Sequence, residues 1–154
     1  MSIRRHLVGR ALRNRLLDLP QGPREWVFTG AESLTRALQE SGFQPAAEDQ
    51  PRLARRGRIE QGRLYLETGP EVRIEDELAL APLTIDALAE DESGRLIDPH
   101  GGREHLDEGL LRHPSPLFGH DILNLLRVAL AGAELRQWGF RLAHGTHGLM
   151  KRMA

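Results

Sequence analysis

The sequence predicts an α+β fold in which a part with mixed strands and helices is followed by a helical part. Up to about residue 115, short apolar runs typical of strands alternate with segments of helical spacing. From Phe118 onward only helical spacing recurs. The 154 residues, 40% of them hydrophobic, suit one domain with a real core. We therefore expect one structural unit, with residues 116–154 packed as an extension on residues 1–115.

Two strand–helix pairs open the chain. The elements predicted here are a strand at 3–8, a helix at 11–19, a turn at 19–23, a strand at 26–29 and a helix at 33–41. Gly9 breaks the first strand, and Leu12 and Leu16 then recur at helical spacing. Ser33 is a typical N-cap, and Gly42 is a typical residue for the end of a helix.

Shorter elements are predicted for the middle of the chain. They are a loop at 44–50, two paired strands at 63–67 and 71–74, a helix at 83–89, a strand at 96–98 and a turn at 99–102. The strand pair is expected because β-favouring residues flank the turn residues 68–70. Pro82 interrupts an acidic helix start, and the helix is expected to continue from Leu83 to Ala89.

The C-terminal part is predicted to be helical. Its first apolar residues fall on one stripe, the pattern of a helix that packs by one face; they are Phe118, Ile122, Leu125, Leu126, Ala129 and Ala133. A last helix is predicted at 144–153. Its apolar residues Leu149, Met150 and Met153 are expected to lie exposed, and exposed apolar patches mark interfaces. This pattern predicts a homodimer or a protein partner on the last helix.

Composition and charge exclude several classes of protein. With 21 basic and 22 acidic residues the net charge is −1, which argues against a general nucleic-acid binder. The absence of cysteine excludes disulfides and allows the cytoplasmic location that we expect. Residues 1–15 lack the apolar core of a signal peptide, and no apolar run approaches the ~18 residues of a membrane span. Arginines cluster at 1–26 and 52–63 and acids at 75–92, which fits either opposed charged faces or a modest anion-binding surface.

Four stretches of the chain together resemble one known family. They are LVGRALRNRLLDLP, PREWVFTGA, LTIDALAEDESGRLIDPHGGREHLDEGLLRH and SPLFGHDILNLLRVALAGAELRQWGFRLAHGTHGLMKRM. In this order they resemble the catalytic head domain and the start of the neck of bacterial CCA-adding tRNA nucleotidyltransferases and their poly(A) polymerase relatives. The resemblance implies a nucleotidyltransferase fold of the DNA polymerase β type, with a small mixed, mainly antiparallel sheet. Because the sequence ends at Ala154, we expect the body and tail with which the family holds tRNA to be absent.

The first turn keeps part of the family's phosphate-binding pattern. The family has two glycines, two further residues and then Arg-Asp, whereas this chain has Gly9, Arg10, Arg13 and Asn14 at those positions. In the family's turn, backbone N–H groups at a helix N-terminus cradle the triphosphate. The resemblance therefore implies a remnant nucleotide-binding cleft here, which the Arg10 side chain is expected to crowd. Two alternatives are open: Arg10 and Arg13 hold a phosphate at the helix N-terminus, or both are plain solvated arginines.

The family's metal-binding pattern, Asp-x-Asp, corresponds to Pro23 and Glu25 in this chain. The resemblance implies Mg²⁺ with CTP and ATP, and two-metal nucleotidyl transfer needs carboxylates that bridge two Mg²⁺ ions. Glu25 alone cannot bridge two ions, and proline supplies no ligand. We therefore expect no cofactor and no catalytic residue, with Glu25 left in the remnant cleft. A single weakly held Mg²⁺ on Glu25 is the alternative.

Two further motifs of the family also differ. Its Arg-Arg-Asp is Leu80-Ala81-Pro82 here, and its Glu-Asp-Pro-Leu-Arg is His120-Asp121-Ile122-Leu123-Asn124. Only Asp121 of the charged residues in these motifs remains. Asp86, where the family usually has asparagine, is expected to face the remnant cleft from a helix.

The resemblance leaves three interpretations of function. The first is a pseudoenzyme, an inactive head-domain homologue that binds RNA, a nucleotide or a protein as a regulatory module. The second is residual or altered nucleotidyl transfer in RNA processing, with a further acid at position 60, 67 or 86 beside Glu25. The third is a decayed fragment, against which the retained core periodicity argues. We favour the first, because residues that specify the fold persist whereas charged residues that specify the chemistry are replaced.

Overall fold

A five-stranded mixed sheet forms the centre of the molecule. The computed structural model describes residues 2–154. Within them the strands are β1 (Arg4–Val8), β2 (Arg24–Thr29), β3 (Asp49–Leu53), β4 (Arg56–Glu60), β5 (Arg63–Glu67), β6 (Ala89–Glu90), β7 (Leu96–Ile97), β8 (Leu110–Leu111) and β9 (Arg141–Leu142). The central sheet has the order β3-β2-β1-β6-β7, in which only β2 and β3 run parallel. The small, mainly antiparallel sheet predicted from the sequence is confirmed.

Helices surround this sheet. Those of the described residues are α1 (Gly9–Leu16), α2 (Leu34–Ser41), α3 (Ile74–Leu78), α4 (Gly102–Glu108), α5 (Leu123–Leu135) and α6 (His144–Met153). α2 has the predicted caps, because the Ser33 hydroxyl accepts a hydrogen bond from the Arg36 N–H and Gly42 has a φ of +70°. Across residues 2–154, no helix combines the length and apolar character needed to cross a membrane.

The strand pairing predicted for the middle of the chain is wrong. Residues 63–67 form β5, which pairs with β4 in a separate antiparallel hairpin, and residues 71–74 form no strand. α3 begins at Ile74 instead. The Asp76 carboxylate accepts a hydrogen bond from the Arg73 N–H at 2.9 Å, which closes the N-terminus of this helix.

β3 takes up the end of the segment predicted as a loop at 44–50. The Asp49 carboxylate fixes it, because it accepts hydrogen bonds from Trp26 Nε1 at 2.9 Å, Arg24 Nε at 2.7 Å and the Ala46 N–H at 2.9 Å. The bonds from Trp26 and Arg24 lower the pKa of Asp49 to about 2. A polar segment without apolar alternation therefore joins the sheet by pairing parallel with β2, and the Asp49 carboxylate fixes its start.

The helix predicted at 83–89 is also wrong. Thr84–Asp86 forms a single 3-10 turn, and Ala89 already pairs with Val8 in the sheet. The apolar side chains of this segment are fully buried; they are Leu83, Ile85, Ala87, Leu88 and Ala89. A segment buried on every side has no polar face from which its period can be read. The turn predicted at 99–102 omits α4, whose first N–H groups are held by the Asp98 carboxylate.

One hydrophobic core joins early and late parts of the chain. Leu7 and Leu12 share it with Phe118 and with side chains of α5. From α6, the three residues Leu149, Met150 and Met153 pack against this core, so they are half-buried rather than exposed as predicted. The division of the chain at residue 115 stays a prediction.

α5 packs by a different face from the predicted stripe. Its buried residues are Asn124, Val128, Ala131 and Leu135. Ile122 and Leu126, which belong to the predicted stripe, are instead more than half exposed. Because this helix is apolar on both faces, its periodicity does not determine which face lies inward.

Candidate nucleotide-binding cleft

The predicted site residues meet at one cleft of about 770 Å³. Those that line it are Gly9, Arg10, Arg13, Glu25 and Asp86, and Asn14 is buried next to Arg13. α1 supplies the residues at positions 9–14, β2 supplies Glu25, and the 3-10 turn after Leu83 supplies Asp86. The structure thus brings all six together, whereas their part in nucleotide binding stays a prediction.

Gly9 and Glu25 meet at the N-terminus of α1. The β1–β2 register sets Val8 opposite Glu25, and the Glu25 carboxyl group would lie 3.9 Å from a Cβ built on Gly9. Gly9 has a φ of +72°, a left-handed conformation that favours glycine. A carboxylate of the protein itself therefore lies near the helix terminus at which the resemblance implies phosphates. The helix dipole favours negative charge at this end.

A second group of side chains joins α1 to α5, and we call it the helix network; it consists of Arg10, Arg13, Asn14, Asp86 and Glu134. The Glu134 carboxylate accepts hydrogen bonds from Arg10 Nε at 2.9 Å and from Asn14 Nδ2 at 3.0 Å. Arg13 Nη1 donates to Asp86 Oδ1 at 3.0 Å. Arg13 Nη2 lies 3.1 Å from Glu134 Oε1 in a charge contact that is not an aligned hydrogen bond.

Burial gives the helix network its electrostatic character. The Arg13 side chain is only 2% exposed, so its charge must be balanced inside the protein. Burial raises the pKa of Asp86, and the hydrogen bond and charge of Arg13 oppose that shift. Burial would also raise the pKa of Glu134, but the hydrogen bonds from Arg10 and Asn14 and the charge of Arg13 lower it to about 2. Glu134 is therefore held as a carboxylate.

A third group of charges lies where β2, β3 and α3 meet, and we call it the strand network; it consists of Glu25, Arg52, Arg55 and Glu77. Arg52 Nη2 donates to Glu25 Oε2 at 3.1 Å, and its Nη1 donates to Glu77 Oε1 at 2.5 Å. Arg55 donates to the buried Glu77 through Nη2 at 3.0 Å and through its backbone N–H at 3.0 Å. Glu25 and Arg52 are more open, with 44% and 30% of their side chains exposed.

Two acids of these networks were missed from the sequence. Glu134 is the only acidic residue between Ile122 and Leu135, and an acid in an apolar helix was the one local sign of its role. Glu77 stands within the acidic stretch at 75–92, where nothing distinguishes it from its neighbours. Both have partners that are distant in sequence, which is why local pattern did not identify them.

The remaining side of the cleft is apolar. Five leucines line it, from the β4–β5 hairpin, the segment before the 3-10 turn at 84–86, a 3-10 helix at Pro116–His120 and α5; they are Leu64, Leu66, Leu80, Leu117 and Leu130. Ala81 and Pro82, which replace charged residues of the family's motif, line it as well. The cleft therefore combines arginine–carboxylate pairs with an uncharged apolar wall.

The residues of the cleft do not fit a site for two Mg²⁺ ions. The fifth carboxylate that lines it, Asp121, accepts a hydrogen bond from Arg127 Nη1 at 2.8 Å, so each of the five carboxylates contacts an arginine. Glu60 and Glu67 do not line the cleft and contact arginines of β4. Within residues 2–154 no group of three His, Asp or Glu side chains could hold a metal ion.

Comparison with known proteins identifies the family. No family model matches the chain. The chain is 42% identical over 160 residues to the Multifunctional CCA protein of Pseudomonas aeruginosa (strain LESB58), a match that covers 96% of this chain and 39% of that protein. It thus spans about two fifths of the length of the curated relatives it matches.

Solved structures show the same fold. An apo form of a CCA-adding enzyme superposes with a TM-score of 0.78 at 22% identity, over 97% of this chain and 40% of that chain. A tRNA nucleotidyltransferase complexed with a primer tRNA and an incoming ATP analogue superposes with a TM-score of 0.73 at 22% identity, over 98% of this chain and 46% of that chain. The chain therefore belongs to the CCA-adding enzyme family and has the fold of its nucleotidyltransferase head domain.

Proposed function

We propose that this protein is a catalytically inactive nucleotidyltransferase head domain that acts as a binding or regulatory module. The observation that carries the proposal is the pairing of charges in the cleft. Five arginines and five carboxylates line it, which gives a formal sum of zero, and each carboxylate contacts an arginine. Where the resemblance implies metal ligands, the chain has Pro23 and an arginine-bound Glu25.

The pairing argues against Mg²⁺ for an energetic reason. Mg²⁺ needs anionic oxygens in near-octahedral geometry and gives up its waters reluctantly. Asp86 could bind Mg²⁺ only by giving up its hydrogen bond from Arg13, whose side chain is 2% exposed, and breaking a buried pair costs about 3–5 kcal/mol. Mg²⁺ bound to Glu25 would be repelled by the guanidinium of Arg52, whose Nη2 is 3.1 Å from Glu25 Oε2.

The same pairing guides the choice of ligand. A cleft without net charge offers a polyanion no long-range attraction, so RNA and nucleoside triphosphates are weaker candidates than a protein ligand. The apolar wall at Leu64, Leu66 and Leu130 favours a partner with apolar side chains. We also place the protein in the cytoplasm, which its lack of cysteine allows.

One observation favours a second function, residual or altered nucleotidyl transfer in RNA processing. The Glu25 carboxylate remains partly open to solvent beside the glycine turn of α1. The tRNA nucleotidyltransferase of the same fold binds a primer tRNA and an ATP analogue. Under this alternative, Glu25 binds one Mg²⁺ after Arg52 shifts entirely to Glu77.

Two measurements on one preparation test the proposal. The first is isothermal titration with ATP and with CTP, each with and without Mg²⁺. The second is incorporation of labelled CTP and ATP into tRNA that lacks its 3′ end. We expect no Mg²⁺-dependent binding and no incorporation. Incorporation above that of a heat-inactivated sample would overturn the proposal.

Two variants show whether any Mg²⁺-dependent binding takes place at Glu25. Glu25→Gln removes the one partly open carboxylate at the glycine turn, and Glu60→Gln removes an exposed carboxylate outside the cleft. Mg²⁺-dependent binding that disappears in Glu25→Gln and persists in Glu60→Gln would establish a metal site and the alternative function. Circular dichroism of each variant verifies that it is folded.

A further inference from the structure

The outward side of α6 and of the strands β8 and β9 carries positive charges that have no partner in the chain. Residues 135–154 contain no aspartate or glutamate. Most arginines up to Arg127 contact a carboxylate, whereas those on this side make no such contact with any residue of 2–154. We call this side the basic surface; it consists of Arg112, Arg141, His144, His147, Lys151 and Arg152, all of them exposed.

The fold brings these residues to one side of the molecule. β8 and β9 pair in parallel with Leu110 opposite Arg141, and Arg112 follows Leu110 by two residues, so Arg112 and Arg141 point to the same face. The basic residues of α6 lie on the side of the helix away from the buried Thr146. The Thr146 hydroxyl accepts a hydrogen bond from the His113 N–H at 3.0 Å, which holds α6 against the end of β8.

An acidic helix lies directly beside the basic surface. The Arg141 N–H donates to the carbonyl of Gly109, the residue that ends α4, at 2.9 Å. The side chains of Glu104 and Glu108 make no ion pair in the described part of the chain, and Asp107 pairs only with Arg103 of the same helix. Opposite charges therefore stand next to each other on the surface; the exposed acids of α4 are Glu104, Asp107 and Glu108.

Helix dipoles account for only part of these charges. Lys151 and Arg152 stand in the last turn of α6, where the dipole favours positive charge. Glu108 stands at the C-terminus of α4, where the dipole disfavours negative charge, and Arg112 and Arg141 belong to no helix. The charges around the junction of α4, β8 and β9 thus do not serve the stability of these elements, which points to a partner outside the chain.

The two signs of charge select the class of partner. A nucleic acid is negative along its whole length, so a strand on the basic surface would meet the acids of α4. A protein segment can carry acidic residues next to basic ones and so complement both sides. Trp138 precedes Arg141 by three residues and is 49% exposed, and exposed tryptophans are enriched where proteins bind each other. A protein with both charges therefore fits this surface better than RNA.

We propose that this side of the molecule binds a partner protein through a segment in which acidic residues are followed by basic ones. The acids of the segment pair with the basic surface, as in the recognition of acidic motifs by arginine clusters. Its basic residues pair with Glu104 and Glu108, and an apolar side chain between the two blocks packs on Trp138. None of these residues lines the cleft, so the proposal goes beyond the proposed function and does not depend on it.

Titration with two synthetic peptides tests the proposal. The block peptide is about ten residues long, with glutamates in one half, lysines in the other and a leucine between them; the alternating peptide has the same composition with the two charges interleaved. NMR detects weak binding through the indole N–H signals of the two tryptophans, of which only Trp26 is bonded to Asp49. The block peptide is expected to shift the Trp138 signal with a Kd on the order of 100 µM, and the alternating peptide to bind at least about fivefold more weakly. Equal affinity of the two peptides, or no shift with the block peptide at about 5 mM, would overturn the proposal.

Charge reversal locates the binding. Arg141→Glu is expected to weaken the block peptide at least about fivefold. Arg4→Glu, a matched change at an exposed arginine of β1 that also has no ion pair within residues 2–154, is expected to leave the affinity unchanged. Circular dichroism verifies that both variants are folded. Equal affinity of the wild type and a folded Arg141→Glu contradicts the assignment of the surface.

Glu108→Lys separates a protein partner from a nucleic acid. The change extends the positive charge onto α4, so it is expected to weaken the block peptide and to strengthen binding of an oligouridine of about the same length. Wild-type protein that binds the oligouridine more tightly than the block peptide would assign the surface to RNA and overturn the proposal. Stronger binding of the block peptide by Glu108→Lys would show that α4 takes no part in recognition and would contradict the requirement for both charges.

Discussion

The helix network and the strand network use the same arginine–carboxylate chemistry at two sides of one cleft, but they differ in burial. In the helix network, the central pair of Arg13 and Asp86 is almost fully buried, while Arg10 and Glu134 are 51% and 27% exposed. In the strand network, Arg52 and Glu25 are partly open to solvent, and only Glu77 is buried. Exposed ion pairs contribute about 0–1 kcal/mol, whereas breaking a buried pair costs several times as much. The two networks therefore differ in how readily a ligand could open them.

Because of this difference in burial, the two networks have different roles in the protein. The helix network ties α1 to α5 across 120 positions of sequence, through the hydrogen bond from Asn14 to Glu134. It holds together the early and late parts of the chain and closes the cleft from that side. The strand network can exchange partners, because Arg52 already contacts two carboxylates. Any ligand that enters the cleft is expected to displace the strand network first.

The largest expected effect comes from removing the charge at the centre of the helix network. Glu134→Gln keeps the size of the side chain but leaves the buried Arg13 with only Asp86 as a carboxylate partner. We expect the free energy of unfolding to fall by about 3 kcal/mol. Urea unfolding at neutral pH, followed by circular dichroism, measures this loss.

The matched control lies in the strand network. Glu25→Gln removes one carboxylate from Arg52, which retains Glu77 and contact with solvent. The free energy of unfolding is expected to fall by less than about 1 kcal/mol. Equal losses in the two variants would show that burial does not distinguish the networks and would contradict the comparison.

An intermediate effect is expected at position 14, where the resemblance implies an aspartate. Asn14 Nδ2 donates to Glu134 Oε1 at 3.0 Å and to the Pro20 carbonyl at 3.1 Å. Asn14→Asp keeps the oxygen that accepts a hydrogen bond from Arg13 Nε, but it removes the Nδ2 donor, and with it both bonds, and sets a second negative charge beside Glu134. We expect a loss of about 2 kcal/mol in the free energy of unfolding.

The double variant Asn14→Asp with Glu134→Gln tests the cause of that loss. If repulsion between two carboxylates is responsible, the double variant loses less stability than the sum of the single variants, by about 1 kcal/mol. Additive losses would attribute the effect to the bond with Pro20 alone. This double-mutant cycle tests whether an aspartate at position 14, as in the family, is incompatible with the surrounding charges.

The sequence predicted the elements that local chemistry specifies. β1, β2 and α2 follow from apolar runs, the glycine breaks and the Ser33 cap, and the structure confirms them. Prediction failed where distant contacts decide. β3 depends on Asp49 reaching Arg24 and Trp26, and the segment at 83–89 is buried on every side.

For the candidate site too, local motifs were predicted from the sequence and residues defined by distant contacts were not. The family's turn and metal-ligand positions identified Gly9 and Glu25, because both lie in continuous motifs. Glu77 and Glu134 entered only with the structure, since each is defined by arginines far along the chain. The outer face of α5 was misassigned because the helix is apolar on both sides and only packing reveals which side is covered.

A further small effect is expected in the acid dependence of the helix network. The pKa of Glu134 is lowered to about 2 in the folded protein, from the ordinary value of 4.5 for a glutamate. A carboxyl group with a lowered folded pKa contributes stability above its unfolded pKa and loses it as the pH falls toward the folded pKa. Its contribution is therefore complete above about pH 5 and declines between pH 4.5 and 2.

Asp49 also has a pKa of about 2, so the wild type alone cannot isolate Glu134. The difference in the free energy of unfolding between the wild type and Glu134→Gln removes the contribution of Asp49, which both proteins retain. We expect this difference to shrink by about 1 kcal/mol between pH 5 and pH 3, a modest value because solvent partly screens Glu134. Urea unfolding at half-unit steps of pH measures it. A difference that stays constant over this range would mean that Glu134 stabilises the protein through the shape of its contacts and not through its charge.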